Sequence, residues 1–308
     1  MKDLYPTRQS DAFAMTDRKD PVVHSGLGST AGPLSRAQLT AYDRYGYLFF
    51  ENFFGHEEVQ TVKAELESLR QSREVKKAEY SITEPNSGEV RSIFDVTRSS
   101  LIFFALSRNP RLVDIVRQLL NDHVYIHQSR VNLKPGFAGK EFYWHSDFET
   151  WHAEDGMPRM RAVSCSIALT ENNEFNGPLM VVPGSHKTFV SCGGATPENH
   201  YKQSLKRQEY GVPDPSSLRA LVDQGGIVAP KGGPGSVLLF ECNLMHGSNS
   251  NISPYPRSNV FFVYNSVSNA LGKPFAAKSQ RPEFIASRDF TPIAPMDVKP
   301  SVAAMQPA

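Results

Sequence analysis

The sequence has little cysteine, almost no net charge and no long apolar run, and each shortage excludes a class of protein. Its 308 residues include three cysteines, Cys165, Cys192 and Cys242. Their number and wide spacing fit neither a disulfide framework nor a zinc site. A formal net charge of +1 gives no reason to expect nucleic acid or a membrane as partner. No run approaches membrane-spanning length, and the first residues lack the apolar core of a signal peptide. These shortages predict a cytoplasmic protein that acts on a small molecule.

Enough apolar residues are present to build a sizeable core. The hydrophobic fraction is 40% and the charged fraction 21%, as in ordinary globular proteins. The glycine-rich segment 232–236 lacks the Gly-Lys-Ser/Thr ending of a phosphate loop and is interpreted as a turn. Internal repeats are absent from the sequence. The chain is therefore expected to fold as one domain, residues 1–308.

The N-terminal third has the periodicity of helices. Residues 1–34 lack a period and are interpreted as an extended arm, and residues 35–120 are expected to form a helical support. Within this support, apolar residues recur at three and four positions, as at Val59, Val62, Leu66 and Leu69. The pair Asn109-Pro110 predicts the start of a further helix, because asparagine caps helices and proline favours the first helical position.

Beyond residue 120 the period becomes that of strands. In Val124–Lys134 the even positions Gln128, Arg130, Asn132 and Lys134 form one polar face. This face lies either in solvent or inside a barrel, where it would line a ligand chamber. His127 is predicted to lie on the opposite face from Gln128 and is therefore left out of the site.

A second strand pattern points to a barrel with room inside. In residues 160–170 one face carries the small residues Ala162, Ser164, Ser166 and Ala168, and the other face carries bulky ones. Such a strand is buried on both faces, and the small face leaves space for a ligand. We therefore predict a mainly β fold with flanking helices, a double-stranded β-helix or jelly-roll (cupin-like) barrel. The core would span residues 121–270 with an insertion at 187–235, and residues 271–308 would form a tail.

Four residues in a particular order suggest a metal and an anion. His145 and Asp147 stand two apart at the end of a predicted strand, so both side chains would point to one face. An imidazole and a carboxylate are two thirds of the 2-His-1-carboxylate set that holds non-haem Fe(II). His246 follows a later strand, and Arg257, whose guanidinium can grip a carboxylate with two hydrogen bonds, opens the next one. Alone each signal is weak, but together they predict a metal, an anion anchor and a chamber.

This order of residues resembles the Fe(II)/2-oxoglutarate dioxygenases, in particular the phytanoyl-CoA hydroxylase-like branch and, within it, the family of ectoine hydroxylases. The hallmark run of that family stands here as WHSDFETWHAEDGMPR at 144–159. The likeness continues in VYIHQSR (124–130), NGPLMVVPGSH (176–186), MHGSN (245–249) and YPR (255–257). It covers nearly the whole chain and is least diagnostic in 187–235 and in the last two dozen residues.

The resemblance implies a role for each matched residue. Fe(II) would be bound by His145, Asp147 and His246. The co-substrate 2-oxoglutarate would be held by residues at one end of the chamber, namely Lys134, Arg257, Ser248, Phe142 and Asn132. The substrate ectoine, a small cyclic zwitterion, would be bound by Gln128, Trp151, Phe94, Ala162, Ser164, Phe240, Phe261 and Arg281. The implied reaction consumes O₂, converts ectoine to 5-hydroxyectoine and releases succinate and CO₂, and the family also suggests a homodimer.

Two alternatives remain open from the sequence. A non-enzymatic cupin-like binding protein would make the His-Asp pair incidental, but would leave the order of His145, Asp147, His246 and Arg257 unexplained. The same dioxygenase chemistry could also act on another small zwitterionic or imino-acid substrate, because a change in a pocket residue shifts specificity by only about 1–3 kcal/mol.

Overall fold

The fold is described by a computed structural model for residues 2–83, 89–204 and 210–296. Residues 205–209 of the expected insertion and 297–308 of the expected tail lie outside the described residues. Within the described ranges, no helix is both long enough and apolar enough to cross a membrane.

Strands dominate the second half of the chain and helices the first. The strands are β1 Ala14–Asp17, β2 Tyr47–Phe50, β3 Ser81–Thr83, β4 Val90–Phe94, β5 Val124–Lys134, β6 Phe142–His145, β7 Ala162–Ala168, β8 Leu179–Val181, β9 Thr188–Ser191, β10 Val237–Glu241, β11 His246–Ser248 and β12 Arg257–Ser266. The helices are α1 Arg36–Tyr45, α2 His56–Gln71, α3 Arg73–Lys77, α4 Val96–Ser99, α5 Leu101–Leu106, α6 Pro110–Leu120, α7 Asp147–Thr150, α8 Tyr201–Ser204 and α9 Pro215–Gly225. A π-helical turn, Trp151–Asp155, continues α7.

The supporting helices begin where their capping residues stand. The Ser35 side chain accepts a hydrogen bond from the Gln38 amide, and the Gln38 side chain accepts one from the Ser35 amide. This capping box satisfies two backbone amides at the start of α1. Gly46 ends that helix in the left-handed conformation that glycine adopts without steric cost. Asn109 caps α6 and Pro110 opens it, as predicted.

Two antiparallel sheets make the barrel. The larger has the order β2-β10-β7-β12-β5-β4-β3, and the smaller has the order β6-β11-β8. The outer face of the larger sheet packs on the helices, where Cys165, Leu239 and Phe262 meet Val116 and Leu119. The bulky face of β7 thus faces this core while its small face lines the barrel interior. This arrangement agrees with the predicted mainly β, helix-braced barrel.

A bulge in β5 overturns one expectation. In the β5–β12 ladder Gln128 stands opposite Val263 and Ile126 opposite Tyr264, so His127 is an extra residue without its own partner position. His127 was predicted to lie on the face opposite Gln128, and this is wrong. Its ring centroid lies 5.1 Å from that of Trp151, on the chamber side. Strict alternation fails here because a bulge shifts the side-chain period by one residue.

The N-terminal arm lies across its own chain. Tyr5 is fully buried, and its ring centroid lies 5.2 Å from those of both Phe148 and Phe189. The Tyr5 hydroxyl donates a hydrogen bond of 2.7 Å to Asp20, and β1 pairs with β9. The arm therefore packs against Phe148, the residue that follows Asp147.

Candidate metal centre and anion pocket

Three potential ligands meet where the two sheets converge. His145 ends β6, Asp147 opens α7 and His246 opens β11, and the two histidines are cross-strand partners. Asp147 Oδ1 lies 3.7 Å from His145 Nε2 and 3.8 Å from His246 Nε2. The chain turns into a helix after His145, so Asp147 is not in the strand as expected, but the turn still brings its carboxylate beside His145.

Hydrogen bonds aim these three side chains at one point. The Nδ1 atoms of His145 and His246 lie 2.8 and 2.9 Å from the carbonyls of Tyr143 and Leu244. Since a carbonyl only accepts, each Nδ1 carries the proton and each Nε2 lone pair is free for a metal. The Ser164 hydroxyl donates to Asp147 Oδ2 over 3.1 Å. The outer hydrogen bonds therefore orient every ligand atom of the set.

Charges around the set favour the protonation states that a metal needs. Burial alone would raise the pKa of the Asp147 carboxyl, but His246, His145 and Arg130 hold that pKa well below its usual range. Burial, with His145 nearby, lowers the pKa of His246 to about 4. At neutral pH the carboxylate is ionised and the His246 imidazole is neutral, as ligands of a divalent cation must be.

The donor set fits non-haem Fe(II). All ligand atoms of His145, Asp147 and His246 lie within 4.8 Å of one another, and no other such cluster was found in the described part of the chain. Two imidazole nitrogens and one carboxylate on one side leave coordination positions open for a co-substrate and O₂.

A cavity beside the three ligands is strongly cationic. Lys134 and Arg257 stand opposite each other in the β5–β12 ladder and point into it. Lys134 Nζ donates to Ser248 Oγ over 2.8 Å and to the Asn249 carbonyl. Arg257 is buried, and its Nε and Nη1 have no hydrogen-bond partner among the described residues. A buried guanidinium with free donors is costly unless an anion completes it.

The pKa values in this cavity move in the direction expected for cations whose burial outweighs the attraction of any nearby acid. Burial, together with the charges of Arg257 and Arg91, lowers the pKa of Lys134 to about 6. Burial lowers the pKa of Arg257 to about 10. A bound dicarboxylate would reverse both shifts, so the pocket suits such an anion.

Strand register places the predicted substrate residues on the wall of the same chamber. Residues opposite each other in a ladder share a face. The partnerships Phe94–Arg130–Phe261 and Gln128–Val263–Ser164–Phe240 therefore place these side chains on the inner face, where Asn132 and Ala162 also lie. Phe142 reaches the cavity from the smaller sheet, with its ring centroid 5.6 Å from that of His145.

Known proteins are similar to this chain in sequence and in fold. The model of the phytanoyl-CoA dioxygenase (PhyH) family matches residues 42–259. The ectoine dioxygenase of Bordetella bronchiseptica is 56% identical over 96% of both chains. That of Halomonas elongata is 52% identical over 92% of this chain and 86% of its own. The chain belongs to the ectoine dioxygenase branch of the PhyH family. Its predicted class, a dioxygenase, is thereby confirmed.

Solved structures agree with this membership. EctD from S. alaskensis with 2-oxoglutarate and 5-hydroxyectoine has a TM-score of 0.87 and is 49% identical, with 96% of this chain and 98% of that chain covered. The form of EctD with bound Fe has a TM-score of 0.86 at 49% identity, covering 95% and 98%. The predicted jelly-roll fold is confirmed.

Three predicted substrate residues of this dioxygenase are engaged within the protein. Trp151 is buried in the π-helical turn against His127. Arg281 forms a two-pronged ion pair with Asp155, with nitrogen–oxygen distances of 2.7 and 2.6 Å. Gln128 donates through Nε2 to the carbonyl of Ile285 over 2.7 Å. The C-terminal segment thus contacts the strand that carries Gln128.

The dioxygenase also has cavity residues for which the sequence predicted no role. Arg91, Arg130 and Lys140 line the cationic cavity. The guanidinium carbon of Arg130 lies 5.8 and 5.1 Å from the ring centroids of Phe94 and Phe261, and that of Arg91 lies 5.6 Å from the ring of Phe142. The sequence predicted that Arg130 shares the polar strand face with Gln128 and Lys134, but assigned it no contact.

Proposed function

We propose that this dioxygenase hydroxylates ectoine to 5-hydroxyectoine, using Fe(II), 2-oxoglutarate and O₂ and releasing succinate and CO₂. One observation carries the proposal: the set of His145, Asp147 and His246 lies beside the Lys134–Arg257 pocket in a chain 56% identical to an ectoine dioxygenase. The metal and the anion site are neighbours, which a co-substrate that binds both requires.

The metal ligands and the anion pocket would divide the work. His145, Asp147 and His246 would hold Fe(II), which when bound supplies the chemistry that couples oxidative decarboxylation of 2-oxoglutarate to hydroxylation of the substrate. Arg257, with Ser248 and Lys134, would bind the distal carboxylate of 2-oxoglutarate. The side chains that line this end of the chamber are Asn132 and Phe142.

The rest of the chamber would bind and orient ectoine. Gln128 would hydrogen-bond the substrate, and Trp151 would face its amidinium, since a cation is attracted to an aromatic face. The walls would be formed by Phe94, Phe240 and Phe261, and the small side chains Ala162 and Ser164 would leave space for the ring. Arg281 would pair with the substrate carboxylate, which would compete with Asp155 for its guanidinium. An aromatic shell also excludes water from the reacting centre.

The enzyme is further proposed to be a cytoplasmic homodimer. All four residues of β1 are exposed, and they include Met15, which stands two residues after the exposed Phe13. These two side chains offer an apolar edge to a second copy. Cys165, Cys192 and Cys242 are free and buried, in accord with a reducing compartment. Light scattering after size-exclusion chromatography would give the mass of a dimer, and a monomer mass at micromolar concentration would refute this part of the proposal.

The reaction is tested by incubating the protein with Fe(II), 2-oxoglutarate, O₂ and ectoine and measuring product mass. We expect a gain of one oxygen on ectoine with one succinate released for each hydroxylation. The Asp147→Ala variant should bind no Fe(II) and give neither product while keeping its circular dichroism spectrum. Full activity in this variant would refute the metal assignment.

The other outcomes lead to the alternatives. Succinate without hydroxyectoine would mean that the dioxygenase acts on another small zwitterionic or imino-acid substrate, which a substrate panel would identify. Neither product from protein that holds iron would favour a binding protein.

A further inference from the structure

The turn that carries both a metal ligand and a substrate residue has unusual geometry. Asp147 opens α7, Trp151 begins the π-helical turn that follows, and Gly156 closes it at a φ of +80°. A π-turn is rare because its wide ring is poorly packed, and it occurs frequently at functional sites. Contacts from outside the turn are needed to keep it in place.

Arg8 of the N-terminal arm supplies such contacts. Its Nε and Nη2 donate to Glu149 Oε1 and Oε2 over 2.9 and 2.6 Å, and its Nη1 donates to Glu154 Oε1 over 2.6 Å. Glu149 and Glu154 stand five residues apart, which is the spacing of the i→i+5 hydrogen bond of a π-helix. One guanidinium therefore joins both ends of the turn between Asp147 and Gly156.

The arm is itself held firmly at this point. The Arg8 amide donates to the Cys192 carbonyl over 2.9 Å, and the Cys192 amide donates to Thr7 Oγ1 over 2.9 Å. Thr7 Oγ1 in turn donates to Glu149 Oε1 over 2.7 Å. The residue that follows β9 thus holds Arg8 in place, and Arg8 holds the turn.

The joint is closed to solvent. The side chains of Arg8, Glu149 and Glu154 are 0%, 1% and 4% exposed. Gly211 lies against them at a φ of +68°, and a Cβ there would be 2.5 Å from Glu149 Oε2 and 2.6 Å from Arg8 Nη2. Only glycine fits this position, so the chain at Gly211 covers the ion pair and keeps water from weakening it.

We propose that Arg8 is a positioning residue for the reaction: by bridging Glu149 and Glu154 it fixes the π-turn, and with it the positions of Asp147 and Trp151. The part that concerns Trp151 as a substrate contact rests on the proposed function. Lysine cannot replace Arg8, because a single ammonium cannot reach three carboxylate oxygens in the fork geometry that a guanidinium provides.

The test uses Arg8→Lys beside Arg18→Lys as a matched control. Arg18 is a buried arginine of the same arm, but its partners are Glu241 and the carbonyls of Asp20, Pro21, Met160 and His186. Both variants are made in full-length protein and in a Trp144→Phe background. Because the sequence has two tryptophans, Trp144 and Trp151, this background makes fluorescence report Trp151 alone.

We expect Arg8→Lys to raise acrylamide quenching of Trp151, to raise the KM for ectoine about tenfold with a smaller change in kcat, and to raise the ratio of succinate to hydroxyectoine. Arg18→Lys should lose thermal stability without these changes. If Arg8→Lys loses stability in the same way, with quenching, KM and ratio unchanged, Arg8 is only structural and the proposal is wrong.

A milder variant covers the case in which Arg8→Lys does not fold. Glu154→Gln keeps the size of the side chain and an acceptor oxygen but removes the charge at one end of the bridge. It should shift Trp151 quenching and the KM in the same direction by a smaller factor, and an unchanged value of both would refute the proposal. Quenching of Trp151 does not depend on the substrate, so it tests the bridge even if ectoine proves not to be hydroxylated.

Discussion

Two groups of buried cations differ in their partners. In the first, which we call the rear group, Arg8 and Arg281 each contact a carboxylate at 2.6 Å. In the second, which we call the front group, Lys134 rests on neutral oxygens, and Arg257 has donors without partners among the described residues. Burial of a cation therefore does not by itself mark a binding site. A buried cation without a carboxylate partner does mark one.

The pKa shifts of the two groups run in opposite directions for this reason. Burial alone would lower the pKa of Arg8 and of Arg281, but Glu149 for the one and Asp155 for the other raise it above its usual range. Lys134 and Arg257 form no ion pair among the described residues, so burial, which Glu141 only partly offsets at Lys134, lowers their pKa values to about 6 and about 10. The first group is paired with carboxylates of the protein, and the second lacks a carboxylate partner and can receive one from a ligand.

The largest effect should come from removing a cation of the front group. Arg257→Met should weaken 2-oxoglutarate binding about a hundredfold to a thousandfold, because the two-pronged contact with a carboxylate is lost. The ligand-free variant should be at least as stable as the wild type, since a buried charge without an acid is removed. Anaerobic calorimetry and thermal denaturation measure the two quantities. Unchanged affinity would mean that the co-substrate binds elsewhere.

The same substitution in the rear group should have the opposite profile. Arg281→Met should lower the free energy of unfolding by about 3 kcal/mol, because Asp155 is left buried without its cation. Affinity for 2-oxoglutarate should stay within about threefold of the wild type, a change of under 1 kcal/mol. Urea denaturation checks the first value. If stability did not fall, the contrast between the two groups would lose its basis.

Lys134 should make co-substrate binding depend on pH. In the ligand-free protein its pKa is about 6 rather than 10.5, so at pH 8 the side chain is neutral. A bound dianion favours the ammonium, and binding at pH 8 should therefore take up about one proton and weaken as pH rises above 6. Calorimetry in buffers of different ionisation enthalpy measures this proton. Lys134→Met should take up none, and equal uptake in both proteins would assign the proton to another group.

The smallest effect is expected from removing the hydroxyl that orients Asp147. Ser164→Ala removes the 3.1 Å hydrogen bond to Asp147 Oδ2. Fe(II) affinity should fall about tenfold, as is usual when a group that orients a metal ligand is lost. Anaerobic Fe(II) titration measures it, with Ser166→Ala on the same strand face as control. An equal loss in both variants would attribute the effect to the strand rather than to this hydrogen bond.

Much of the site could be predicted because strands convert sequence parity directly into geometry. Gln128, Asn132 and Lys134 share a face in the sequence and share one in the barrel, as do Ala162 and Ser164. The strand face of His127 was predicted wrongly because the bulge interrupts the period, and the residue types around it do not indicate an extra residue. Arg281 was expected at the substrate, and its pairing with Asp155 depends on a long-range contact.

The sequence by itself determined the fold class and predicted the metal ligands and the anion anchor, because each depends on local period or on residue type at a strand end. Only the tertiary structure decided which buried cations have a carboxylate partner. Arg8 and Glu149 are 141 residues apart in the chain, and their contact exists only once the arm has folded across the barrel. The role of a buried charge depends on its partner, and partners distant in sequence are brought together by packing.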